Sequence, residues 1–191
     1  PEHGVASNLE EAKEVLNRLG VEKAVIKVQV HAGGRGKAGG VQFGKSKDEI
    51  LDRAKNLLGL KIINNQTGPA GVIAHKVLIA PLSDIEKEFY VGAIIDRETA
   101  TPLLIASPEG GMEIEEIAEK HPHKILKLPI AFDGTLKSFQ LGNFTLFIGW
   151  KGDLAKQGVK IAQGLAKAFI ECDASLLEVN PLVQTKQGQL I

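Results

Sequence analysis

The sequence is poor in cysteine and aromatic residues, and it carries no excess of charge. Its single cysteine, Cys172, excludes an intrachain disulfide and fits a reducing compartment; because an apolar segment follows it, we expect a buried thiol. Lysine plus arginine and aspartate plus glutamate each number 23, so the formal net charge is zero. Nucleic-acid-binding and membrane-surface proteins usually carry a basic excess, so both classes are disfavoured. Aromatic residues make up only 5%, which argues against base stacking along a nucleic-acid strand.

Long apolar runs are also missing. No segment approaches the ~20 apolar residues that a membrane-spanning helix needs, and the first residues show no stretch typical of a signal peptide. We therefore expect neither a membrane nor a nucleic acid as a partner. The 191 residues suffice for one domain, or for two small lobes around one cleft.

The most informative stretch is a strand-like segment, residues 25–30, followed by a Gly-rich loop, residues 31–40, and a return strand from Val41. Alternation along the first strand places Lys27 on the face opposite the core. Glycine lets backbone N–H groups approach a ligand closely, and repeated N–H donors beside a lysine suit a polyphosphate. The stretch therefore predicts a loop that binds nucleotide phosphates. The alternative is a Gly-rich hairpin that binds no ligand.

Three better-known nucleotide motifs match this loop only in part. The dinucleotide fingerprint G-x-G-x-x-G fits residues 34–39, but a strand-like segment begins at Val41, where that motif requires a helix. A Walker A loop needs Ser or Thr after its Gly-Lys pair, and Ala38 stands there. The protein-kinase loop also matches locally, yet the chain contains no HRD or DFG triplet. What remains is a hairpin whose lysine precedes the loop.

The rest of the chain mixes helix and strand signals without an internal repeat, which predicts an α+β fold. Capping boxes beginning at Ser7 and Ser46 predict two helices that end at Gly20 and Gly59, and Asp153 is expected to cap a third, long helix. Two more helices are predicted at residues 113–120 and 136–147. Strands are predicted at residues 61–64, 72–80, 89–95, 102–106 and 124–128.

A second informative stretch, Leu-Leu-Glu-Val-Asn-Pro-Leu, occupies residues 176–182. As a strand it places Glu178 and Asn180 on the same face, and Pro181 is expected to end the pairing. A carboxylate beside a carboxamide offers the hard oxygen ligands that Mg²⁺ prefers. The alternative is a polar pair at the end of a strand.

Three segments together resemble the β subunits of succinate–CoA ligases, also called succinyl-CoA synthetases: residues 25–41, 106–115 and 177–182. The resemblance extends over essentially the whole chain. It implies an ATP-grasp fold in which two α/β lobes surround a nucleotide cleft. Residues 1–83 would form the small lobe with the Gly-rich phosphate loop. Residues 84–191 would form the second lobe, cut short at its C-terminal end.

The resemblance also assigns roles to individual residues. The nucleotide-contacting positions fall on the phosphate-binding Lys27, the loop backbone at Gly34, Arg35 and Gly36, and the residues Ser83 and Glu88. Asn180 matches a magnesium ligand. Glu178 matches the acid that faces a phosphohistidine during phosphoryl transfer. ATP and Mg²⁺ are the implied cofactors.

The implied reaction converts succinate, CoA and ATP into succinyl-CoA, ADP and phosphate. ATP phosphorylates a histidine of a partner α subunit, the phosphate passes to succinate, and CoA then displaces it. Alternatives are a malate–CoA or citrate–CoA ligase subunit, a GTP-specific β subunit, or a non-catalytic module that binds a partner. Ala80 stands where the family usually has an acidic residue that touches the nucleotide, so the base preference stays open.

Two further expectations follow from the resemblance. The chain ends at Ile191, just before the family's aspartate metal ligand, so we expect a fragment that binds nucleotide weakly and does not turn over alone. We expect it in the cytoplasm of a bacterium rather than in the mitochondrial matrix.

Overall fold

The structure is a computed structural model that describes residues 2–110 and 114–191. The chain divides into two compact units, residues 1–83 and 84–191. Within the described residues, no helix combines the length and the apolar character needed to cross a membrane. The predicted helix start at Glu113, and residues 111–113 of the second resembling segment, lie outside the described residues.

The first unit combines two helices with short strands. Its elements are β1 (Gly4–Ala6), α1 (Leu9–Leu19), β2 (Ala24–Val28), β3 (Val41–Gly44), α2 (Lys47–Leu57), β4 (Lys61–Ile62), β5 (Val72–Ile73) and β6 (Val77–Pro81). Four of the strands form an antiparallel sheet in the order β1-β6-β2-β3, and β4 pairs with β5 separately. The apolar sides of both helices pack against one face of the larger sheet.

Both predicted helices form, and local hydrogen bonds fix where they begin. Ser46 caps α2, where its hydroxyl oxygen accepts the Glu49 N–H at 3.3 Å. The cap of α1 lies one residue later than predicted: Asn8, not Ser7, accepts the Glu11 N–H, at 3.0 Å. Asn8 displaces Ser7 because its side-chain oxygen is the one within reach of the third helical N–H.

Glu49 couples the start of α2 to pH. Its carboxylate accepts the Lys45 N–H at 2.9 Å and an Arg53 N–H at 3.3 Å. The backbone hydrogen bond from Lys45, and then the one from Arg53, lower the pKa of Glu49 below its ordinary value of 4.5. Because the folded pKa is lower than the unfolded one, this stabilisation is complete above the unfolded pKa. It is lost as the pH falls through the folded value.

We expect Glu49→Gln to flatten the acid side of the stability profile, since glutamine keeps a neutral acceptor but does not titrate. Urea unfolding between about pH 3 and 7 would measure the effect. Glu14→Gln, on the exposed side of α1, is the matched control and should leave the profile unchanged. A Glu49→Gln profile that is as steep as the wild type would contradict the assignment.

Two features of the first unit differ from the sequence-based expectations. Strand β1 was not predicted; it lies so close to α1 that a Cβ at Gly4 would come within 2.5 Å of the Val15 side chain. The strand predicted over residues 72–80 is wrong as a single element. The chain changes partners at Ala74, whose N–H bonds Leu60 before β6 joins the main sheet.

The second unit has a longer sheet and three helices. Its elements are β7 (Ile85–Asp96), β8 (Thr101–Ser107), α3 (Ile114–Lys120), a 3₁₀ turn (Pro122–Lys124), β9 (Leu126–Pro129), α4 (Ser138–Ile148), α5 (Gly152–Glu171) and β10 (Leu176–Thr185). The sheet is antiparallel throughout, in the order β10-β7-β8-β9.

Helices α4 and α5 cover one face of this sheet around Trp150. The indole packs edge-on against Phe89 and Phe144, with ring centroids 5.0 and 5.5 Å away. Gly158 of α5 makes room for it, because a Cβ there would lie 2.3 Å from the indole ring. Edge-to-face aromatic pairs add stabilisation beyond the area they bury. This cluster holds α4 and α5 on one face of the sheet. These two helices do not cover the opposite face.

Helix α4 forms at Ser138–Ile148, where a helix was predicted over residues 136–147. It buries Leu141, Phe144 and Ile148, yet Phe139 and Leu146 on its other side are 72% and 77% exposed. A helix that is apolar on both sides lacks the polar stripe that identifies a surface helix.

Three smaller expectations for the second unit are wrong. Lys151, not Asp153, occupies the N-cap of α5, and Asp153 lies in the first turn, where a carboxylate favours the helix dipole. Cys172 is exposed, because the chain turns at the end of α5 before the apolar strand begins. Pro181 does not end β10. The strand resumes pairing at Leu182 after a bulge that accommodates the missing proline N–H.

Candidate functional site

Lys27 lies in the middle of the central strand β2. Its neighbours Ile26 and Val28 point into the core between sheet and helices and are fully buried. Lys27 therefore lies on the opposite face, between Val41 and Leu78 of the flanking strands. Its side chain is half-buried, and no carboxylate of residues 2–110 and 114–191 pairs with it. The ammonium group is thus held on a rigid strand and remains available to an anion.

The Gly-rich loop folds into a compact turn beside the end of β2. Gly40 donates to the Arg35 carbonyl at 2.8 Å, and the Gly40 carbonyl accepts the Val28 N–H at 2.8 Å. Glycine is required at 40, because a Cβ there would lie 2.6 Å from a Val28 methyl. Gly34 has a φ of +63°, a left-handed conformation that glycine adopts without strain. These contacts close the loop onto its own strand.

Three consecutive backbone donors remain at the tip of this loop. In the described part of the chain, the N–H groups of Gly34, Arg35 and Gly36 have no acceptor. The Arg35 guanidinium bonds the Val28 carbonyl at 3.3 Å, so this side chain is turned back onto the strand. Successive N–H groups without partners form the kind of concavity that binds an anion. Lys27 and the loop tip come from one continuous segment, as the sequence predicts.

In the second unit, one face of the sheet carries Glu178, which is exposed on β10. The buried Tyr90 on β7 donates its hydroxyl hydrogen to the Glu178 Oε2 at 3.2 Å. Gly92 lies directly opposite Glu178, and a Cβ there would come within 2.8 Å of the Tyr90 hydroxyl oxygen. The missing side chain at 92 therefore gives the tyrosine its path to the carboxylate. Nothing in the local sequence pattern pointed to Tyr90.

We expect Gly92→Ala to destabilise the second unit by about 1–3 kcal/mol, since the added methyl overlaps the tyrosine hydroxyl and crowds the Leu177 carbonyl. Denaturant unfolding would measure the loss. Tyr90→Phe in the same background should restore part of the stability, because it removes the atom that clashes first. If the double variant is no more stable than Gly92→Ala alone, the overlap is not the cause.

Asn180 follows Glu178 by two residues and lies in the bulge of β10, where its peptide bond to Pro181 is cis. Among residues 2–110 and 114–191, no group of three acidic, histidine or cysteine side chains is arranged to hold a metal. Glu178 and Asn180 supply two oxygen-bearing side chains at most. Mg²⁺ accepts so few protein ligands when water and phosphate oxygens complete its shell. The residues fit a magnesium ion that is held together with a phosphate.

The remaining predicted residues are more scattered. Ser83 is exposed at the end of the first unit. Glu88 is half-buried on β7, opposite Val183, and alternates with Tyr90 onto the face that carries Glu178. Ala80 lies on β6 opposite Val25, on the same face of its sheet as Lys27, and offers only a methyl group there. In the second unit, Glu88 and Glu178 thus share one face of the sheet, whereas in the first unit Lys27 lies on a strand and residues 34–36 lie in the loop after it.

The loop that follows β8, described over residues 108–110, is held by an ion pair. Glu109 forms an ion pair with Lys124, and its N–H bonds the hydroxyl oxygen of the buried Ser107 at 3.2 Å. The hydrogen bond from Lys124 lowers the pKa of Glu109. This contact ties the end of β8 to the turn before β9.

Comparison with known proteins gives close relatives over the whole chain. It is 52% identical over 191 residues to the succinate–CoA ligase [ADP-forming] subunit beta of Protochlamydia amoebophila, covering 100% of this chain and 49% of the relative. The corresponding subunit of Bacillus cereus is 46% identical, with 100% and 50% covered. The chain therefore spans about half the length of the curated relatives it matches.

Solved structures share the fold at low sequence identity. A Pyrococcus horikoshii protein superposes with a TM-score of 0.74 at 16% identity, covering 100% of this chain and 80% of that one. An ATP citrate lyase from Methanothrix soehngenii, solved with citrate and coenzyme A, gives 0.66 at 16% identity, covering 97% and 42%. At such identities the likeness supports the fold alone, and it confirms the α+β architecture.

A profile of the ATP-grasp domain matches residues 1–184, nearly the whole chain. Together with the strand–loop–strand of residues 24–44 and the relatives above, this match identifies the family. The chain belongs to the ATP-grasp family.

Proposed function

We propose that this chain is the nucleotide-binding part of an ADP-forming succinate–CoA ligase β subunit. Relatives with that name are 42% to 52% identical across all of its residues. The observation that carries the proposal is the loop tip. Among the residues that the structure describes, the N–H groups of Gly34, Arg35 and Gly36 have no acceptor, and they lie in the segment that begins with Lys27. Backbone donors and a cation in one segment suit the phosphates of a nucleotide.

Each residue then has a defined task in phosphoryl transfer. Lys27 and the loop amides hold the phosphates of ATP and offset the charge that develops as the terminal phosphoryl group leaves. Asn180 helps to hold Mg²⁺, which supplies further positive charge when bound. Glu178 faces the histidine that receives the phosphoryl group. Ser83 and Glu88 contact the nucleoside.

The receiving histidine belongs to a partner α subunit, so none of the chain's own histidines has this role. ATP transfers its terminal phosphoryl group to that histidine and leaves as ADP. The phosphoryl group then moves to succinate, and the CoA thiol displaces phosphate to give succinyl-CoA. The bacterial origin of the relatives supports a location in the cytoplasm of a bacterium.

Ala80 bears on the choice of base. A methyl group at this position cannot donate or accept a hydrogen bond, so base recognition rests on other residues. ATP is our proposal because the close relatives are named as ADP-forming. GTP is the direct comparison in any assay.

A chimera tests the proposal with a complete enzyme. These 191 residues would replace the matching half of the Protochlamydia β subunit, and the chimera would be expressed with its α subunit. Turnover would be measured with succinate, malate and citrate, each with ATP and with GTP. We expect ADP-forming activity that is highest with succinate and ATP. An assembled chimera that is inactive, or that prefers malate or citrate, would overturn the proposal, and the isolated chain should form no succinyl-CoA.

A further inference from the structure

Gly33, the residue before the loop tip, is held on both sides by side-chain amides from a distant turn. Its N–H donates to the Gln66 Oε1 at 2.6 Å, and its carbonyl oxygen accepts the Asn64 Nδ2–H at 2.9 Å. The approach is close: a Cβ at Gly33 would lie 3.1 Å from the Gln66 side chain. We call these two side chains the amide clamp. They lie 31 and 33 residues from the glycine they hold.

The clamp is itself rigidly built. The Asn64 Oδ1 accepts the N–H groups of Gln66 and Thr67 at 2.9 and 3.0 Å, and the Asn64 N–H donates to the Thr67 hydroxyl at 2.9 Å. Gly68 closes the turn onto the Asn64 carbonyl at 2.9 Å. Because backbone N–H groups can only donate, these bonds fix which side-chain atom is oxygen and leave Nδ2 facing Gly33.

The position of the clamp suggests its purpose. Both polar groups of Gly33 are occupied, whereas the next three N–H groups have no acceptor in the described residues. A glycine-rich loop is intrinsically mobile, and ordering it when a ligand binds would cost conformational entropy. Anchoring the loop at Gly33 removes part of that cost beforehand and so favours binding.

We propose that Asn64 and Gln66 are positioning residues that hold the Gly34–Gly36 donors in place for the phosphates of the nucleotide. This inference rests on the proposed function for the identity of the ligand. It adds a turn to which the sequence pattern assigned no function. The clamp touches the loop backbone and is not expected to touch the nucleotide.

Substitutions of similar size separate the clamp bonds from the rest of the turn. Asn64→Asp keeps the Oδ1 that caps Gln66 and Thr67 but replaces the donor to Gly33 with an oxygen. Asn65→Asp introduces the same charge one residue away, at an exposed side chain, and is its control. Gln66→Met removes the acceptor for the Gly33 N–H, and Gln66→Glu retains it.

Two measurements are needed. Calorimetry would give the affinity of the chain for Mg·ATP and for magnesium tripolyphosphate, which has no base. Hydrogen exchange followed by NMR would report the protection of the Gly33 N–H without any ligand. We expect Asn64→Asp and Gln66→Met to weaken both ligands about three- to tenfold relative to their controls. Exchange at Gly33 should quicken in Gln66→Met but not in Gln66→Glu, and melting temperatures should stay near the wild type.

The outcomes discriminate between this inference and the proposed function. If Lys27→Ala abolishes binding while the two clamp variants bind like their controls, the positioning role of the clamp is refuted and the proposed function is supported. Loss of affinity for Mg·ATP but not for tripolyphosphate would also overturn it, because the defect would then lie at the base. If the wild type binds neither ligand, the result refutes both the proposed function and the phosphate role of the clamp. If the Gly33 N–H exchanges at the same rate in Gln66→Met as in the wild type, the inference that Gln66 anchors the loop is also refuted.

Discussion

Lys27→Ala is expected to weaken the binding of Mg·ATP by the chain about 30- to 1,000-fold. The ammonium group is half-buried on β2 and has no carboxylate partner among the described residues. A phosphate would therefore be its counter-ion. In a partly desolvated site such a pair is worth far more than at an exposed surface. Calorimetry with and without Mg²⁺ would measure the loss.

The matched control is Lys23→Ala, which removes the same charge from an exposed position just before the same strand. It should change the affinity less than about twofold. Equal losses in the two variants would mean that only the net charge matters, and the phosphate site would then be misplaced. Lys27→Arg should recover little, because the guanidinium is longer and forked and carries its charge at a different point from the lysine ammonium.

Glu178→Gln is expected to slow phosphoryl transfer to the α-subunit histidine by about 100- to 1,000-fold while leaving nucleotide affinity nearly unchanged. Glutamine keeps the shape of the side chain and an oxygen that can accept the Tyr90 hydroxyl hydrogen, so folding should be preserved. What it lacks is the negative charge that would steady an imidazolium as it forms. The chimera with its α subunit, mixed with ATP labelled at the terminal phosphate, would report histidine phosphorylation directly.

Glu98→Gln, in the exposed turn between β7 and β8, is the control for loss of one negative charge. A tenfold loss of ATP affinity in Glu178→Gln would instead assign this carboxylate to the nucleotide or its metal. Unaltered transfer would remove Glu178 from the reaction altogether. The Tyr90→Phe variant should give a smaller defect than Glu178→Gln, since it loosens the carboxylate without neutralising it.

The loop was predictable because all its parts are contiguous in the chain. Lys27, the glycines and the return strand at Val41 lie within one hairpin, and period-two alternation assigns the lysine to one face. The helix caps at Ser46 and Gly20 were predictable for the same reason, since capping is decided within a few residues. The shift from Ser7 to Asn8 shows the limit: neighbouring residues can both cap, and only the geometry selects one.

Strand boundaries depended on partners that local patterns do not contain. Residues 72–80 have continuous strand propensity, yet the segment contributes strands to two sheets. The reason is that the Ala74 N–H, between β5 and β6, bonds the Leu60 carbonyl. Pro181 has no N–H to pair, but the bulge beside Tyr90 lets β10 continue past it. The prediction that Cys172 is buried was wrong for a similar reason, since the exposure of a residue at a helix end depends on where the chain turns.

The sequence by itself determined the family, the Gly-rich loop that follows Lys27, and the placement of Glu178 and Asn180 on one strand. These features are short-range, and the spacing of residues along the chain is enough to specify them. Only the tertiary structure brought Gln66 to Gly33 and Tyr90 to Glu178, across 33 and 88 residues. Such contacts arise when sheet register and core packing bring distant backbones together, and no local preference encodes them. The chain supplies the proposed ligand-binding groups locally, whereas the fold decides how firmly they are held.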